Sequence, residues 1–98
     1  MNKYFLSADA KNDIKEIAKD TIKRWGKEQA HFYIDNLYEI FSLIGENPQI
    51  GRLRRELGEE IRSFPQGSHV IFFIEHKGRA AIVRVLHGAR DFQKIFDR

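Results

Sequence analysis

The spacing of apolar residues changes once along this chain, and that change limits the folds it can adopt. Between residues 8 and 44, apolar side chains recur every three or four positions, which is the period of an amphipathic helix. Between residues 60 and 87 they alternate or run together among β-branched and aromatic residues, which is typical of strands. Helices followed by strands in separate stretches predict an α+β fold.

Two helices are predicted, joined at Gly26. Ser7 can cap the first helix through its side-chain oxygen, and Gly26 can end it because glycine adopts a positive φ without strain. The second helix begins directly afterwards, and Gly45 and Pro48 are expected to end it. The pair forms an antiparallel αα-hairpin, and its apolar stripes are expected to lie in the core. The stripes consist of Ala10, Ile14, Ile17, Ala18, Ile22 and Trp25 in the first helix, and of Ala30, Tyr33, Ile34, Leu37, Ile40, Phe41 and Ile44 in the second.

Short strands flank this hairpin. Residues 3–7 predict an N-terminal strand, and residues 45–58, which contain turn formers and three arginines, predict a mostly irregular basic connection. After the connection, three strands separated by glycine-containing turns predict a three-stranded antiparallel β-meander. These strands are expected at residues 60–64, 69–75 and 79–87.

The middle strand of the meander is apolar on both faces. Its run from Val70 to Ile74 contains no polar residue, so one face can meet the helices while the other still requires a cover. Either the short C-terminal segment FQKIF or a partner protein is expected to provide it.

The composition restricts the class of protein further. The 98 residues suffice for one hydrophobic core, so residues 1–98 are expected to form a single domain. No cysteine is present, which excludes disulfides and thiolate metal sites. The longest apolar run has five residues against the roughly 20 of a membrane-spanning helix, and the N-terminus lacks a signal-peptide core. We therefore expect a cytoplasmic protein. Without metal-ligand spacing or a phosphate loop, neither a metal nor a cofactor is expected.

Positive charge is concentrated in the second half of the chain. Residues 1–51 contain seven Lys or Arg and eight Asp or Glu, a net charge of −1, whereas residues 52–98 contain ten and six, a net charge of +4. Arginine suits bidentate contacts with carboxylates and phosphates. Arg52, Arg54 and Arg55 are therefore candidates for binding a phosphate or an acidic protein surface, although a solvated loop is the alternative.

Four segments, taken in order, resemble a known toxin superfamily. They are the run WGKEQA from Trp25, the turn NPQIGR ending at Arg52, the strand pair RSFPQGSHVIFF from Arg62 and the segment RVLHGARD from Arg84. Together they are similar to the ParE/RelE toxins, and the last two are similar to the ParE branch. The resemblance covers essentially the whole chain.

The resemblance implies one fold and two activities. RelE-like members cut messenger RNA on the ribosome, using basic residues and usually a C-terminal Tyr or His. ParE-like members bind DNA gyrase and stabilise its cleaved DNA complex. Members of both branches are neutralised by an antitoxin that wraps the toxin.

A nuclease needs cations beside the phosphate and a group that transfers a proton. Arg62, Arg84 and His87 are the candidates for these roles. All three tyrosines, however, lie in the first half of the chain, and Phe92 and Phe96 occupy the C-terminal end. A phenyl ring cannot move a proton, so the sequence favours the ParE branch.

Two of these residues also have a structural interpretation. A histidine at the end of a strand, such as His87, can hydrogen-bond to a backbone carbonyl. Arg84 stands in an apolar strand, where it can pair with a carboxylate such as Glu60 or Asp91.

The sequence thus predicts a ParE-like toxin, associated with plasmid stabilisation, that inhibits gyrase by binding and requires no catalytic residue of its own. A ParD-like antitoxin with an acidic toxin-binding segment is the expected partner, and direct binding to nucleic acid is expected only if the chain is RelE-like. The alternatives are a ribosome-dependent mRNA endonuclease and a non-toxic binding or stability module. Candidate residues for contact with the target or antitoxin are Arg52, Arg54, Arg55, Arg62, Arg84, His87, Arg90 and Phe92.

Overall fold

The computed structural model describes residues 3–97 and has the predicted α+β fold. No helix within those residues is long and apolar enough to cross a membrane. The elements are β1 (Tyr4–Leu6), α1 (Ala8–Trp25), α2 (Lys27–Glu46), a 3-10 turn (Pro48–Ile50), β2 (Arg52–Leu53), β3 (Arg62–Gln66), β4 (His69–His76), β5 (Arg79–His87) and α3 (Phe92–Phe96).

The strands form one five-stranded sheet in the order β1-β5-β4-β3-β2. β3, β4 and β5 are the predicted antiparallel meander, and β1 joins its edge parallel to β5. β2 lies within the connection that the sequence predicts to be mostly irregular. The sequence pattern misses it because two residues are too few to show an alternation.

β3 extends to Gln66, two residues beyond the predicted end, and includes Pro65. Proline has no backbone N–H to donate, so a strand tolerates it where no partner strand lies on the side that the N–H would face. β2 pairs only with Ser63 and Arg62, which leaves the outer side of β3 without a partner strand at Pro65. The tight turn lies instead at Gly67, whose φ is +58°.

The start of α1 is tied to the sheet through Ser7. Its hydroxyl oxygen accepts a hydrogen bond from the Ala10 backbone N–H at 2.9 Å and donates to the Val83 carbonyl at 2.9 Å. Its own N–H donates to the Ile82 carbonyl at 3.0 Å. The predicted cap therefore also attaches α1 to the edge of β5. At the other end α1 stops at Gly26, where φ is +93°.

The core lies between the two helices and one face of the sheet. Phe41 of α2 and Ile71 and Phe73 of β4 are fully buried there, and burying each such side chain contributes roughly 1.5–3 kcal/mol. The buried members of this cluster are Ala10, Ile14, Ile17, Leu37, Phe41, Ile44, Ile71, Phe73, Ala80, Ile82 and Val85.

The apolar stripe of α1 does not reach the core along its whole length. Ile22 is 42% exposed and Trp25 is 72% exposed, so the prediction that they lie in the core is wrong. Trp25 stands at the tip of the helix hairpin and lines a cleft together with polar side chains such as Asp20, Arg24 and His69. An apolar period of three and four shows which face of a helix is buried, but not how far the sheet extends beneath it.

The C-terminal segment covers part of the second face of the sheet. Phe92 and Phe96 of α3 pack edge-on against the fully buried Phe72, with ring centroids 4.8 and 5.0 Å away. Asp91 caps α3 by accepting from the Lys94 N–H at 3.2 Å. The sequence predicts that either the FQKIF segment or a partner protein covers the second face of the middle strand. At Phe72 the FQKIF segment provides that cover.

Candidate functional site

The arginines of the basic connection differ in their surroundings. Arg54 donates to Glu56 at 2.8 Å and to the Ser63 hydroxyl at 3.1 Å, and its guanidinium lies over the rings of Phe72 and Phe92. Only 17% of its side chain is exposed. Arg54 therefore holds the connection and α3 onto the second face of the sheet.

Other candidate binding residues lie on the surface. Arg52 and Arg55, on either side of Arg54, are exposed, as is Arg90 in the turn after β5. These three cations can meet an acidic partner without being removed from contacts within the fold.

Arg84 makes the most extensive polar contact of the candidates. Its Nε and Nη2 donate to the two carboxylate oxygens of Asp13 at 2.8 and 2.9 Å, and Asp13 also accepts from the Val85 N–H at 2.9 Å. The hydrogen bonds to Asp13, more than the ion pairing, raise the pKa of Arg84. The predicted ion pair exists, but its carboxylate is neither Glu60 nor Asp91.

Asp13 occupies the edge of β5 beyond the end of β1. β1 pairs with β5 only as far as Ile82, so the backbone N–H of Val85 has no neighbouring strand on that side. The Asp13 carboxylate, which projects from α1, accepts a hydrogen bond from this N–H and also neutralises the charge of Arg84. A periodicity analysis assigns Asp13 to the polar face of α1 and cannot reveal this pairing across 71 positions.

The three candidate nuclease residues are engaged separately. Arg62 on β3 donates to the Gly51 carbonyl at 2.7 Å, while Arg84 on β5 is bound to Asp13 across the intervening strand β4. His87 is exposed at the end of β5, and its Nδ1 accepts from the Ala89 N–H at 3.1 Å rather than bonding to a carbonyl.

A tyrosine and two histidines converge at the hairpin tip, and the sequence did not predict this cluster. The Tyr33 hydroxyl lies 2.7 Å from Nδ1 of His69 and donates to the Gln66 carbonyl at 3.0 Å. Because the hydroxyl proton is used there, Nδ1 of His69 is the donor to Tyr33. The His87 ring stands edge-on to His69, with centroids 5.5 Å apart. The sequence argument that tyrosines of the first half lie away from His87 is therefore wrong for Tyr33.

These three side chains line a cleft of about 370 Å³ between the tip of the helix hairpin and the end of the meander, the hairpin-tip cleft. Within residues 3–97 no group of three or more His, Cys, Asp or Glu side chains is arranged to hold a metal ion. The cleft is lined by Asp20, Thr21, Arg24, Trp25, Gln29, Tyr33, Ser68, His69 and His87.

Burial alters proton affinity inside the cleft. It raises the pKa of Tyr33, which therefore keeps its proton at neutral pH. Burial, and to a lesser extent repulsion from His87, lowers the pKa of His69 below its ordinary 6.5, with Asp20 acting weakly in the opposite direction. His69 is accordingly neutral near pH 7, with a proton on Nδ1 and a lone pair on Nε2.

The lowered pKa of His69 predicts a loss of stability in mild acid. The unfolded chain binds a proton at His69 more readily than the folded chain, so this stability is present above pH 6.5 and is lost as the pH falls toward the folded pKa. The urea concentration at the midpoint of unfolding should fall less in His69→Asn than in the parent when the pH is lowered from about 7.5 to 5.5. The exposed His31→Asn is the matched control and should retain the parent's decline. A parallel decline in His69→Asn and the parent would contradict the assignment.

Comparison with known proteins decides the family. The family model described as ParE toxin of type II toxin-antitoxin system, parDE, matches residues 4–92. The chain belongs to the ParE toxin family. Toxin ParE1 of Mycobacterium tuberculosis is 34% identical over 94 residues, covering 95% of this chain and 96% of the relative. Toxin ParE1 of Caulobacter vibrioides is 38% identical over 87 residues, covering 89% and 90%.

A solved structure confirms the ParE-type fold independently of close sequence similarity. The chain superposes on one from the chromosomal ParDE TA system of P. aeruginosa with a TM-score of 0.75, at 16% identity, over 89% of this chain and 96% of the other. The arrangement of the helix hairpin and the meander is therefore shared with that chain at low sequence identity.

Proposed function

We propose that this ParE-family chain is a cytoplasmic toxin that inhibits DNA gyrase by binding, and that a ParD-like antitoxin holds it inactive. The family match supports the toxin–antitoxin class, and a neighbour solved as part of a ParDE system supports a partner of the ParD kind. The preference for a binding mechanism over a nuclease rests on the arrangement of the charged residues.

The engagement of Arg62 and Arg84 carries the argument for a binding mechanism. A nuclease stabilises the negative charge of its transition state with cations aimed at the phosphate. Arg62 is bonded to a carbonyl within the fold and Arg84 to a carboxylate, on strands separated by β4. Turning Arg84 toward a substrate would leave Asp13 as a largely buried carboxylate without its cation, which is costly.

The antitoxin is expected to use both charge and apolar surface. Arg52 and Arg55 offer exposed guanidinium groups for an acidic segment. Large apolar side chains also remain exposed on the helix hairpin, and a partner helix can bury them. They include Ile22, Phe32, Tyr38 and Leu43.

One observation favours the mRNA endonuclease as a second candidate. The Tyr33 hydroxyl and His69 Nδ1 lie within hydrogen-bond distance, at 2.7 Å, and the His87 ring lies edge-on to His69, with ring centroids 5.5 Å apart. Tyrosine and histidine side chains can transfer protons. The cation among the lining side chains, Arg24, is paired with Asp20, so this candidate needs further cations, for example from the ribosome.

Induced expression tests these alternatives together. A gyrase poison should arrest growth with DNA damage signalling while translation continues at first, because stabilised cleaved complexes leave broken DNA. His87→Gln should then retain killing, since loss of a proton-transfer group would slow a nuclease on the order of 100-fold or more. Early cleavage of mRNA, abolished by His87→Gln, would favour the nuclease. Unimpaired growth with soluble, folded chain would favour a non-toxic binding or stability module.

A further inference from the structure

The hairpin-tip cleft contains an aromatic surface that the fold itself does not use. Trp25 is the only tryptophan of the chain, and 72% of it is exposed although it stands beside the cleft. An indole of this size normally contributes to a core or a binding surface. Because its packing role is small, the exposed ring is available to stack on a planar ligand.

The floor of the cleft presents one hydrogen-bond acceptor and one donor side by side. His69 donates through Nδ1 to Tyr33, so Nε2 of the neutral ring is an acceptor. His87 accepts at Nδ1 from the Ala89 N–H, so its ring proton is on Nε2, which is a donor. The rings are 5.5 Å apart, and the register of β4 with β5 places the two residues opposite each other.

The surroundings of the cleft are suited to an anionic group outside it. The sequence from Lys23 to Lys27 contains three cations and no carboxylate. Asp20, the acidic residue among the lining side chains, lies 3.2 Å from Arg24 in an exposed ion pair. Arg24 lines the cleft, and Lys23 and Lys27 are its neighbours in sequence. A flat heterocycle that carries a phosphate therefore matches the stacking surface, the polar side chains and Arg24.

We propose that the hairpin-tip cleft binds a single nucleobase, with the base stacked on Trp25, its polar edge bonded to His69 and His87, and its phosphate near Arg24. Stacking on an aromatic side chain combined with a positive border is how proteins hold unpaired bases. The base can belong to a free nucleotide or to an unpaired position of a single strand. This binding site goes beyond the proposed inhibition of gyrase and does not depend on it.

Because Trp25 is the sole tryptophan, its fluorescence reports on the cleft directly. The folded chain would be titrated with adenosine monophosphate, ribose 5-phosphate, a short single-stranded oligonucleotide and its duplex form, with excitation at the red edge where bases do not absorb. A saturating quench by the nucleotide, the single strand or both is expected, with none from ribose 5-phosphate. Saturation by the nucleotide alone would assign a free-nucleotide site, and saturation by the strand alone would assign a single-strand site.

Two variants distinguish binding in the cleft from collisional quenching of the tryptophan fluorescence. His69→Asn retains a donor toward Tyr33 but removes the Nε2 acceptor, and should weaken binding by roughly tenfold or more, as expected when a polar partner is left unpaired. Phe32→Ala removes an aromatic ring that is 65% exposed on α2 and does not line the cleft, so affinity should be unchanged.

The result that overturns the proposal is a linear, unsaturated quench that is equal for adenosine monophosphate and ribose 5-phosphate. Equal affinities in the parent and His69→Asn would also overturn it. Imidazole Hε1 proton shifts of His69 and His87 in the parent chain give a second readout that does not depend on a variant folding, and absence of any shift at saturating ligand excludes the site. Gyrase inhibition is measured separately, so failure of either proposal leaves the other intact.

Discussion

Replacing Asp13 with alanine is expected to lower the free energy of unfolding by about 3 kcal/mol, the usual cost of leaving one partner of a buried ion pair without the other. The Asp13 side chain is 13% exposed and that of Arg84 is 25% exposed, so water can replace the lost contacts only in part. The variant leaves the Arg84 guanidinium and the Val85 N–H without their acceptor. Urea denaturation measures the change.

The matched control for this prediction is Asp20→Ala, on the same helix. Asp20 pairs with Arg24 four positions along, but the side chains are 62% and 69% exposed, and such surface pairs contribute little. A loss in Asp13→Ala no larger than in Asp20→Ala would show that the Asp13 contacts do not hold α1 to the edge of β5. Arg84→Met with Asp13→Leu should be less damaging than Asp13→Ala alone, because no charge is left unpaired.

Reversing the charge of the two exposed arginines, in Arg52→Glu with Arg55→Glu, is expected to weaken antitoxin binding by roughly tenfold or more and to reduce its dependence on salt. An acidic segment would then meet carboxylates in place of guanidinium groups, and screening by salt would no longer weaken an attraction. Arg54 is kept, because its contacts with Ser63 and Phe72 are part of the fold.

Lys11→Glu with Lys15→Glu is the control for that experiment. Both lysines are exposed on α1, and their reversal changes the net charge by the same amount. Isothermal titration calorimetry with the antitoxin, at low and at high salt, compares the affinities of the two double variants. Equal effects would mean that net charge, and not the arginines of the connection, governs association.

The element order of this fold could be predicted because each part has a local signal. The helix stripes, the Ser7 cap, the break at Gly26 and the alternation of the meander depend on residues close in sequence, and each element was found. The ends were less accurate, as Pro65 shows, since the tolerance of β3 for proline depends on how far β2 extends beside it.

The contacts between distant elements could not be predicted in the same way. Arg84 was expected to find a carboxylate, but spacing could not identify Asp13, which lies 71 positions earlier. The hairpin-tip cleft was missed for a related reason. A turn at residues 77 and 78 alone would pair His69 with Leu86, but an irregularity between Phe72 and Phe73 shifts the register of β4 with β5 by one residue and places His69 opposite His87. Tyr33 reaches His69 only once α2 packs on the sheet.

The same limit applies to the arginines of the connection. Spacing presents Arg52, Arg54 and Arg55 as one basic group, and sequence alone treats them as equivalent. The two-residue strand β2 and the following turn direct Arg54 toward Phe72, while its neighbours remain exposed. Of the three arginines, only the exposed pair is therefore proposed to contact the antitoxin.

The most direct test of the proposed function is a cleavage assay with purified gyrase, supercoiled plasmid and the purified chain. The proposal predicts that the chain, with no nuclease activity of its own on the plasmid, causes linear DNA to accumulate when gyrase is present and the reaction is denatured. Excess antitoxin should prevent that accumulation. Unchanged supercoiling and no linear product, together with mRNA cleavage when the same preparation is added to translating ribosomes, would contradict gyrase as the target and establish the nuclease instead.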